Sequence, residues 1–304
     1  MDINDAFGSA YAAVVSKPSK ILPFYFMSVS VPAVARAAPL IAGVFVYLAL
    51  LRRGRIGEIR SALEDASIED PPSVLPFEGG GFGSEGFERT TDAFTEVFEL
   101  VFVPEVVAVV GVSALVFVVL LVGLNAAVSA GQVGAVYGVL TGADDPVADG
   151  VGSVFENIST FAFLFVVEAA VVLAATAVFA GVGAFVASLG GFVAAALGVL
   201  LGLLWLLTVA TVHVFFVFAP QSVVVDDTGL RGALRGNFDF VVENTVEFVA
   251  YLIFAFAALV GFGSVAGFLN VLGAPAAVTV VGFVVFSPFV AVVKTDMYVR
   301  HAGE

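Results

Sequence analysis

The sequence predicts an all-α integral membrane protein, with six transmembrane helices in three hairpins, each preceded by an amphipathic interfacial helix. Three observations carry this prediction. The chain has 304 residues, 60% of them hydrophobic and 12% charged, where a soluble domain carries about 25% charged. Its apolar residues form blocks such as "VVAVVGVSALVFVVLLVGLNAAVSAGQVGAVYGVLTG", residues 106–142, which holds no charge; about 20 such residues cross a bilayer core as a helix. Finally, one order of parts recurs along the chain: a polar helix-like stretch, an apolar run, a turn, and a second apolar run.

The spans are expected at residues 21–51, 106–128, 161–185, 192–219, 246–268 and 276–293. The first exceeds a hydrocarbon core of about 30 Å at about 1.5 Å per residue. It also holds Pro23, Pro32, Pro39 and Arg36, so it is expected to kink, to tilt, or to begin in the interface. The short uncharged turns "ASLGG" and "NVLGA" close the second and third hairpins on one side of the membrane.

The longer polar segments carry the repeat. "ADDPVADGVGSVFENISTFAFLF" and "VDDTGLRGALRGNFDFVVENTVEFVAYLI" each begin with two aspartates, continue through an amphipathic stretch to Glu-Asn, and enter a span. Glu156-Asn157 falls on Glu243-Asn244, and Phe161 on Phe248. The amino-terminal "DINDAFGSAYAAVVSKPSKILPFYF" follows the same plan. Apolar stripes fall at Ile3, Phe7, Tyr11, Val14 and Val15; at Val147, Val151, Val154, Phe155 and Ile158; and at Leu230, Ala233, Leu234, Phe238, Val241 and Val242. That spacing is helical, where a strand would alternate. Asp145 before Pro146 reads as an N-cap, as does Asp227 or Thr228 in the third stretch. Helices of this kind lie in the interface plane. The chain is thus one membrane domain, 1–304, of pseudo-repeats 1–142, 143–224 and 225–304. An extramembrane insertion at 52–105 holds 12 of the 26 acidic residues. Within it "IGEIRSALEDA" reads as a helix, residues 71–87 as a Pro/Gly linker, and Phe94, Val97, Phe98, Val101 and Phe102 as one face of a further helix.

Charge and composition exclude several classes. The net charge of −14 rules against nucleic-acid binding, which needs a basic footprint. Such acidity suits a salt-adapted host. The absence of cysteine removes disulfides and thiol chemistry. The two histidines, His213 and His301, are far apart in sequence, so no His-rich metal site is expected, and no cofactor. "GFGSEG" fits a glycine-rich nucleotide motif, but lies in the linker without a strand before it. Lys17, Lys20, Arg231, Arg235, Lys294 and Arg300 fall on the side of both termini, and Arg52, Arg53, Arg55, Arg60 and Arg89 on the other. Six against five places both termini in the cytoplasm of a multi-pass cell-membrane protein.

Ionisable groups within spans are costly, and so point to function. Glu168 and His213 lie on neighbouring antiparallel spans at matching depth, roughly 10–12 Å below the interface at 1.5 Å per residue. A pair there suits proton carriage or ion coordination; a neutral glutamate bonded to a neighbouring helix is the plainer alternative. The other repeats have Ser28 and Ala255 in the place of Glu168. Arg36 completes the candidate intramembrane polar site, although snorkelling to the interface explains it more simply. Gln132 and Gln221 occupy matching places and read as interhelical polar contacts. Arg231 and Arg235 are interfacial basic residues. Gly134, Gly138 and Gly142, like Gly198 and Gly202, have the spacing of closely packed helices.

The stretches "AGQVGAVYGVLTGADDPVADGVGSVFENISTF" and "FAPQSVVVDDTGLRGALRGNFDFVVENTVEF" resemble a family of uncharacterised haloarchaeal integral membrane proteins. That family is similar in turn to the membrane domain attached to some bacterial glycerophosphodiester phosphodiesterases. The resemblance implies a halophilic archaeal host, six spans and no known activity. The family's third amphipathic helix is usually more basic, and its first turn shorter. The functional expectation is a non-enzymatic membrane-organising scaffold or partner subunit, with membrane lipids and a protein partner or second copy as its contacts. Its rival is a small-solute or ion transporter using Glu168 and His213.

Overall fold

The computed structural model describes residues 3–28, 30–65, 101, 103–188 and 190–302. These residues are helical, without a strand among them. Four helices are long and apolar enough to cross a membrane: Val106–Thr141, Pro146–Ala187, Gly191–Val225 and Thr245–Val271. The chain divides into two compact units. One comprises Met1–Pro32 with Leu121–Glu304, the other Ala33–Leu120.

In the larger unit, α1 (Ile3–Ser16) and α2 (Pro18–Ser28) come first. The helical stretch expected over 21–51 is not continuous, since α2 ends at Ser28 and α3 (Ser30–Arg52) begins two residues on. Ser28 Oγ donates to the Tyr25 carbonyl at 2.6 Å, which satisfies one of the helix-end acceptors. α3 and α4 (Arg55–Asp65) belong mainly to the smaller unit, where α4 is the helix expected from "IGEIRSALEDA". The helix expected at residues 94–102 lies outside the described residues, Val101 excepted.

α5 (Pro104–Thr141) runs well past the expected end at residue 128. Gln132, Gly134 and Gly138 are therefore helical. α6 (Pro146–Ala187) is a single helix of 42 residues. The expected interfacial helix and span thus run as one helix, with Glu156-Asn157 in its interior. Asp145 caps its start, accepting from the Val147 and Ala148 amides at 3.2 and 3.4 Å. A turn with Gly190 and Gly191 at positive φ leads into α7 (Gly191–Val214), which packs against α6. Trp205 Nε1 donates to Thr176 Oγ1 at 3.1 Å between them.

The fourth apolar stretch, expected to run to residue 219, breaks earlier. α7 ends at Val214, residues 215–218 form turns, and α8 (Ala219–Val225) resumes. Asn237 of α9 (Leu230–Glu243) holds this break open. Its Oδ1 accepts from the Phe218 amide at 2.6 Å, and its Nδ2 donates to the Phe215 carbonyl at 2.9 Å. Neither Asp227 nor Thr228 caps α9. The N-cap is Gly229, without a side-chain bond, because Asp226 and Thr228 are engaged with Ser222 at 2.9 and 3.2 Å. α10 (Thr245–Val271) follows a break at Asn244. The last helical stretch is α11 (Pro275–Val280), a π-helical segment (Val281–Phe286) and α12 (Ser287–Ala302). Pro288 has no N–H and cannot close an ordinary helical turn, which places a π bulge in the turn before it.

The glycine rows behave differently. A Cβ on Gly134 would come within 2.5 Å of Ser153 Cβ, and one on Gly138 within 2.5 Å of Asp149 Oδ2. These two glycines let α5 approach the start of α6. A Cβ on Gly198 or Gly202 would meet nothing within 4 Å among the described residues. α7 has no buried residue at all.

The three amino-terminal helical stretches share one pattern of burial. On α6, Pro146, Gly150, Ser153, Phe161 and Leu164 are buried. At the offset that lays Glu156 on Glu243 these become Ala233, Asn237, Phe240, Phe248 and Tyr251, all buried. At the offset that lays Glu168 on Ser28 they become Ala6, Ala10, Ala13, Ile21 and Phe24, all buried as well. Each stretch leaves large apolar side chains exposed: Tyr11 and Val15, Val151 and Phe155, Phe238 and Val242.

Candidate functional site

A cavity of about 230 Å³ lies inside the larger unit, lined by α2, α5, α6, α7, α8 and α12. Four sequence-predicted polar residues meet there: Glu168, His213, Gln132 and Gln221. Glu168 and His213 pair across α6 and α7, with Nδ1 2.9 Å from Oε1. The Glu168 side chain is 24% exposed and that of His213 71%. The pair therefore sits at the cavity's edge, its histidine outward.

The two glutamines are placed differently. Gln132 Nε2 donates to Ser28 Oγ at 3.3 Å and to the Phe24 carbonyl at 3.4 Å, which ties α5 to α2. Gln221 is 2% exposed. Its Nε2 donates weakly to Thr295 Oγ1 at 3.5 Å, and its Oε1 has no partner. The interhelical contacts expected of these amides thus exist, but both side chains also face the cavity.

Gln132, Gln221 and Thr295 occupy corresponding places. Val128, Ala130 and Val133 are buried around the first, Val217, Ala219 and Ser222 around the second, and Val293 and Asp296 around the third. Each return helix thus offers one polar side chain to the same space. Sequence reasoning paired the glutamines but overlooked Thr295, because a threonine in place of a glutamine hides the match. It also overlooked Tyr25 and Lys294. Tyr25 lies one position past the buried register of α2, and Lys294 one position before Thr295.

Lys294 is half-buried, with its Nζ 5.9 Å from the centre of the Phe218 ring. Lys294 and Glu168 both line the cavity. Tyr25 is 2% exposed, and its hydroxyl has no hydrogen-bond partner. The cavity wall thus gathers an ammonium, a carboxylate, an imidazole, a phenol and amide groups, a set able to bind a polar solute and to move a proton.

α12 is fixed below the cavity. Arg300 binds Asp296 at 2.9 Å and Asp5 at 3.6 Å, and donates to Ser9 at 3.1 Å. Burial pushes the Asp296 carboxyl up, and Arg300 pulls it back. The Tyr298 hydroxyl donates to Asp226 at 2.6 Å; burial first, then this bond, pushes the phenol well up.

The remaining predicted residues lie elsewhere. Arg36 is in α3, within the smaller unit. Arg231 and Arg235 are exposed on α9, and Arg235 reaches Asp239 at 3.4 Å. Among the described residues no group of three or more histidine, aspartate or glutamate side chains could hold a metal ion. No protein-family model, curated protein or solved structure matches the chain.

Proposed function

We propose that this is a multi-pass membrane protein of three related units that binds and moves a small polar solute through the cavity at Glu168 and His213. The observation that carries the reading is the convergence of six elements on one cavity that reaches Glu168. A purely organising protein has no use for a half-buried carboxylate and ammonium beside a buried phenol, whose desolvation is costly. The shared burial pattern supports the three units, and the exposed apolar residues of α1, α9 and the start of α6 support an interfacial position for each. In this reading Glu168 and His213 form the proton-carrying element, and both termini face the cytoplasm.

The absence of cysteine makes a background-free test available. Ser129→Cys and Thr295→Cys are placed singly in the cavity wall and treated with a membrane-impermeant maleimide from each side of sealed vesicles. A transporter gives labelling from both sides, in proportions that change with conditions. Labelling from neither side, with an exposed control cysteine labelled normally, would sink the reading.

The scaffold or partner-subunit reading keeps one observation of its own. α7 presents Gly198 and Gly202 with nothing against them among the described residues, a surface suited to close approach by another helix. A second copy of the chain or a partner helix would cover it. Gly198→Cys then forms a disulfide between copies under oxidation if the occupant is a second copy, and stays monomeric otherwise.

A further inference from the structure

The smaller unit carries a groove that the solute reading does not use. It lies between α3 and α5 and encloses about 620 Å³. On α3 its wall runs from Val34 to Phe45, and on α5 from Ala108 to Leu120. At about 1.5 Å per residue these stretches are roughly 16–18 Å long. Ser113 is the one polar side chain among the described lining residues. Ile41, Phe45, Val112 and Val116 line the groove yet stay more than half exposed, so their own neighbours do not fill it.

Beyond the Phe45 end the chain turns basic. "RRGRIGEIR", residues 52–60, holds four of the 12 basic residues and one acidic residue, in a chain of net charge −14. Gly54, at a φ of 69°, turns α3 into α4, which gathers Arg52, Arg53 and Arg55 at the end of α3. Arg55 meets Glu58 at 3.6 Å. Arg52 is exposed and makes no ion pair among the described residues. It stands seven residues past Phe45, roughly 10 Å along the helix at 1.5 Å per residue. The headgroup layer on each face of a bilayer is about 5–7 Å thick, and one leaflet of the hydrocarbon core about 15 Å. A phosphate at Arg52 therefore sets its own tail at the mouth of the groove, and the groove has the length of one tail.

The other occupants use only part of this arrangement. A polar solute finds Ser113 alone in the groove. A helix from a second copy would fill the groove but would bring nothing to neutralise the arginines. A phospholipid engages both, at the spacing its own structure dictates. We infer that the α3–α5 groove and the arginines at the end of α3 form a binding site for one anionic phospholipid. Its tail lies in the groove, and its phosphate accepts from Arg52, with Arg53 and Arg55 beside it. Guanidinium groups suit this role because two parallel N–H groups can meet two phosphate oxygens. The inference does not depend on the cavity at Glu168.

The test uses the purified full chain in phosphatidylcholine vesicles that contain a trace of phosphatidylglycerol with a photoreactive diazirine in its tail. Cross-linked residues are located by mass spectrometry, with unlabelled phosphatidylglycerol or phosphatidylcholine as competitor. The expected result is labelling concentrated on residues 34–45 and 108–120. Phosphatidylglycerol should displace the probe at least about fivefold better than phosphatidylcholine, the weight of one arginine at an anionic headgroup. Ala42→Trp, which fills the groove, should lose most of the labelling. Arg52→Gln with Arg53→Gln should remove the headgroup preference and leave α3 and α5 labelled, while Arg52→Lys should keep the preference. Labelling spread evenly over α7 and α10 as well would reduce the groove to ordinary lipid contact and overturn the inference. Equal displacement by the two lipids, or undiminished labelling in Ala42→Trp, would do the same. Ser113→Cys tests the second copy: a disulfide between copies with the groove unlabelled gives the groove to a partner helix and also overturns the inference. If Ala42→Trp fails to fold, Ala42→Leu and the arginine variants decide.

Discussion

The second and third repeat segments, which both begin with a double aspartate, share a register of buried positions and differ in almost everything else. From Pro146 the chain runs as one continuous helix through Glu156-Asn157 to Ala187. From Leu230 it stops at Glu243 and restarts at Thr245. The same dipeptide sits at a helix interior in one case and at a helix break in the other. Among the described residues Asn157 bonds within its own helix, to Ser153 Oγ at 3.4 Å. Asn244 is held from outside, with its Nδ2 2.9 Å from His301 Nδ1. A repeated pattern of apolar residues therefore fixes which face is buried, while the path of the backbone is decided by partners far away in sequence.

The largest expected effect is at one pair of matching positions. Asn237 in the third segment corresponds to Gly150 in the second. The asparagine satisfies two backbone groups of the break before α8, while a Cβ on Gly150 would lie 2.8 Å from the Gly131 carbonyl and strike the Phe24 ring. Asn237→Ala orphans a buried donor, the Phe218 amide, at about 1–3 kcal/mol, and removes the bond to the more exposed Phe215 carbonyl. It should lower stability by about 2–3 kcal/mol. Gly150→Ala should cost about 1–3 kcal/mol by overpacking. Thermal unfolding in detergent measures both. An Asn237→Ala protein as stable as the native one would remove the asparagine as the cause of the break.

The second segment is held by α5 as well as by its own sequence. Gly138→Ala brings a methyl against Asp149 and within 3.1 Å of Pro146 Cα, and backbone cannot move aside cheaply. A loss of about 1–3 kcal/mol is expected. Gly198→Ala, on the open face of α7, should change stability little or raise it, since alanine favours the helix by up to about 1 kcal/mol. Equal losses at the two sites would mean that α7 also has a packed neighbour.

The aspartates separate the two segments next. Asp145→Ala removes a helix cap worth about 1 kcal/mol. Asp226 caps nothing of α9; it receives Tyr298 and Ser222. Tyr298→Phe should therefore cost about 1–2 kcal/mol through this charged acceptor. The loss should appear as loosening of α12 against α8, read by hydrogen exchange, rather than as fraying of α9.

These contrasts bear on what was legible in the sequence. Helical content and the apolar runs were, since length and composition report them directly. The Glu168–His213 meeting was legible from depth alone, because antiparallel neighbours in a tight hairpin place equal counts from the turn at equal height. The helix ends were not. Hydropathy marks where a helix can enter lipid, whereas α5 runs on past residue 128 through buried positions, α6 begins before its apolar run, and the α7–α8 break is set by an asparagine from another segment. Lys294 was passed over because it stands just outside an apolar run, where a basic residue reads as a membrane-edge marker.

The finest test concerns the Glu-Asn pair itself. If His301 holds the break at Asn244, the two residues must be energetically coupled. Asn244→Ala should cost about 1 kcal/mol, the usual net worth of a hydrogen bond. Asn157→Ala should cost a few tenths, because a weak local bond in a helix interior is offset by the higher helix propensity of alanine. His301→Ala also removes the 3.8 Å contact with Glu243 and the edge contact with Phe240, so its single effect is not diagnostic. The double-mutant cycle isolates the pair, with an expected coupling of about 0.5–1.5 kcal/mol at Asn244. The same cycle between Asn157 and His301 should give none. Zero coupling at Asn244 would return the break to the local sequence, with Thr245 and the β-branched Val246 beginning a new helix. The second segment's Ile158 after Asn157 would then have to explain why the same step passes unbroken there.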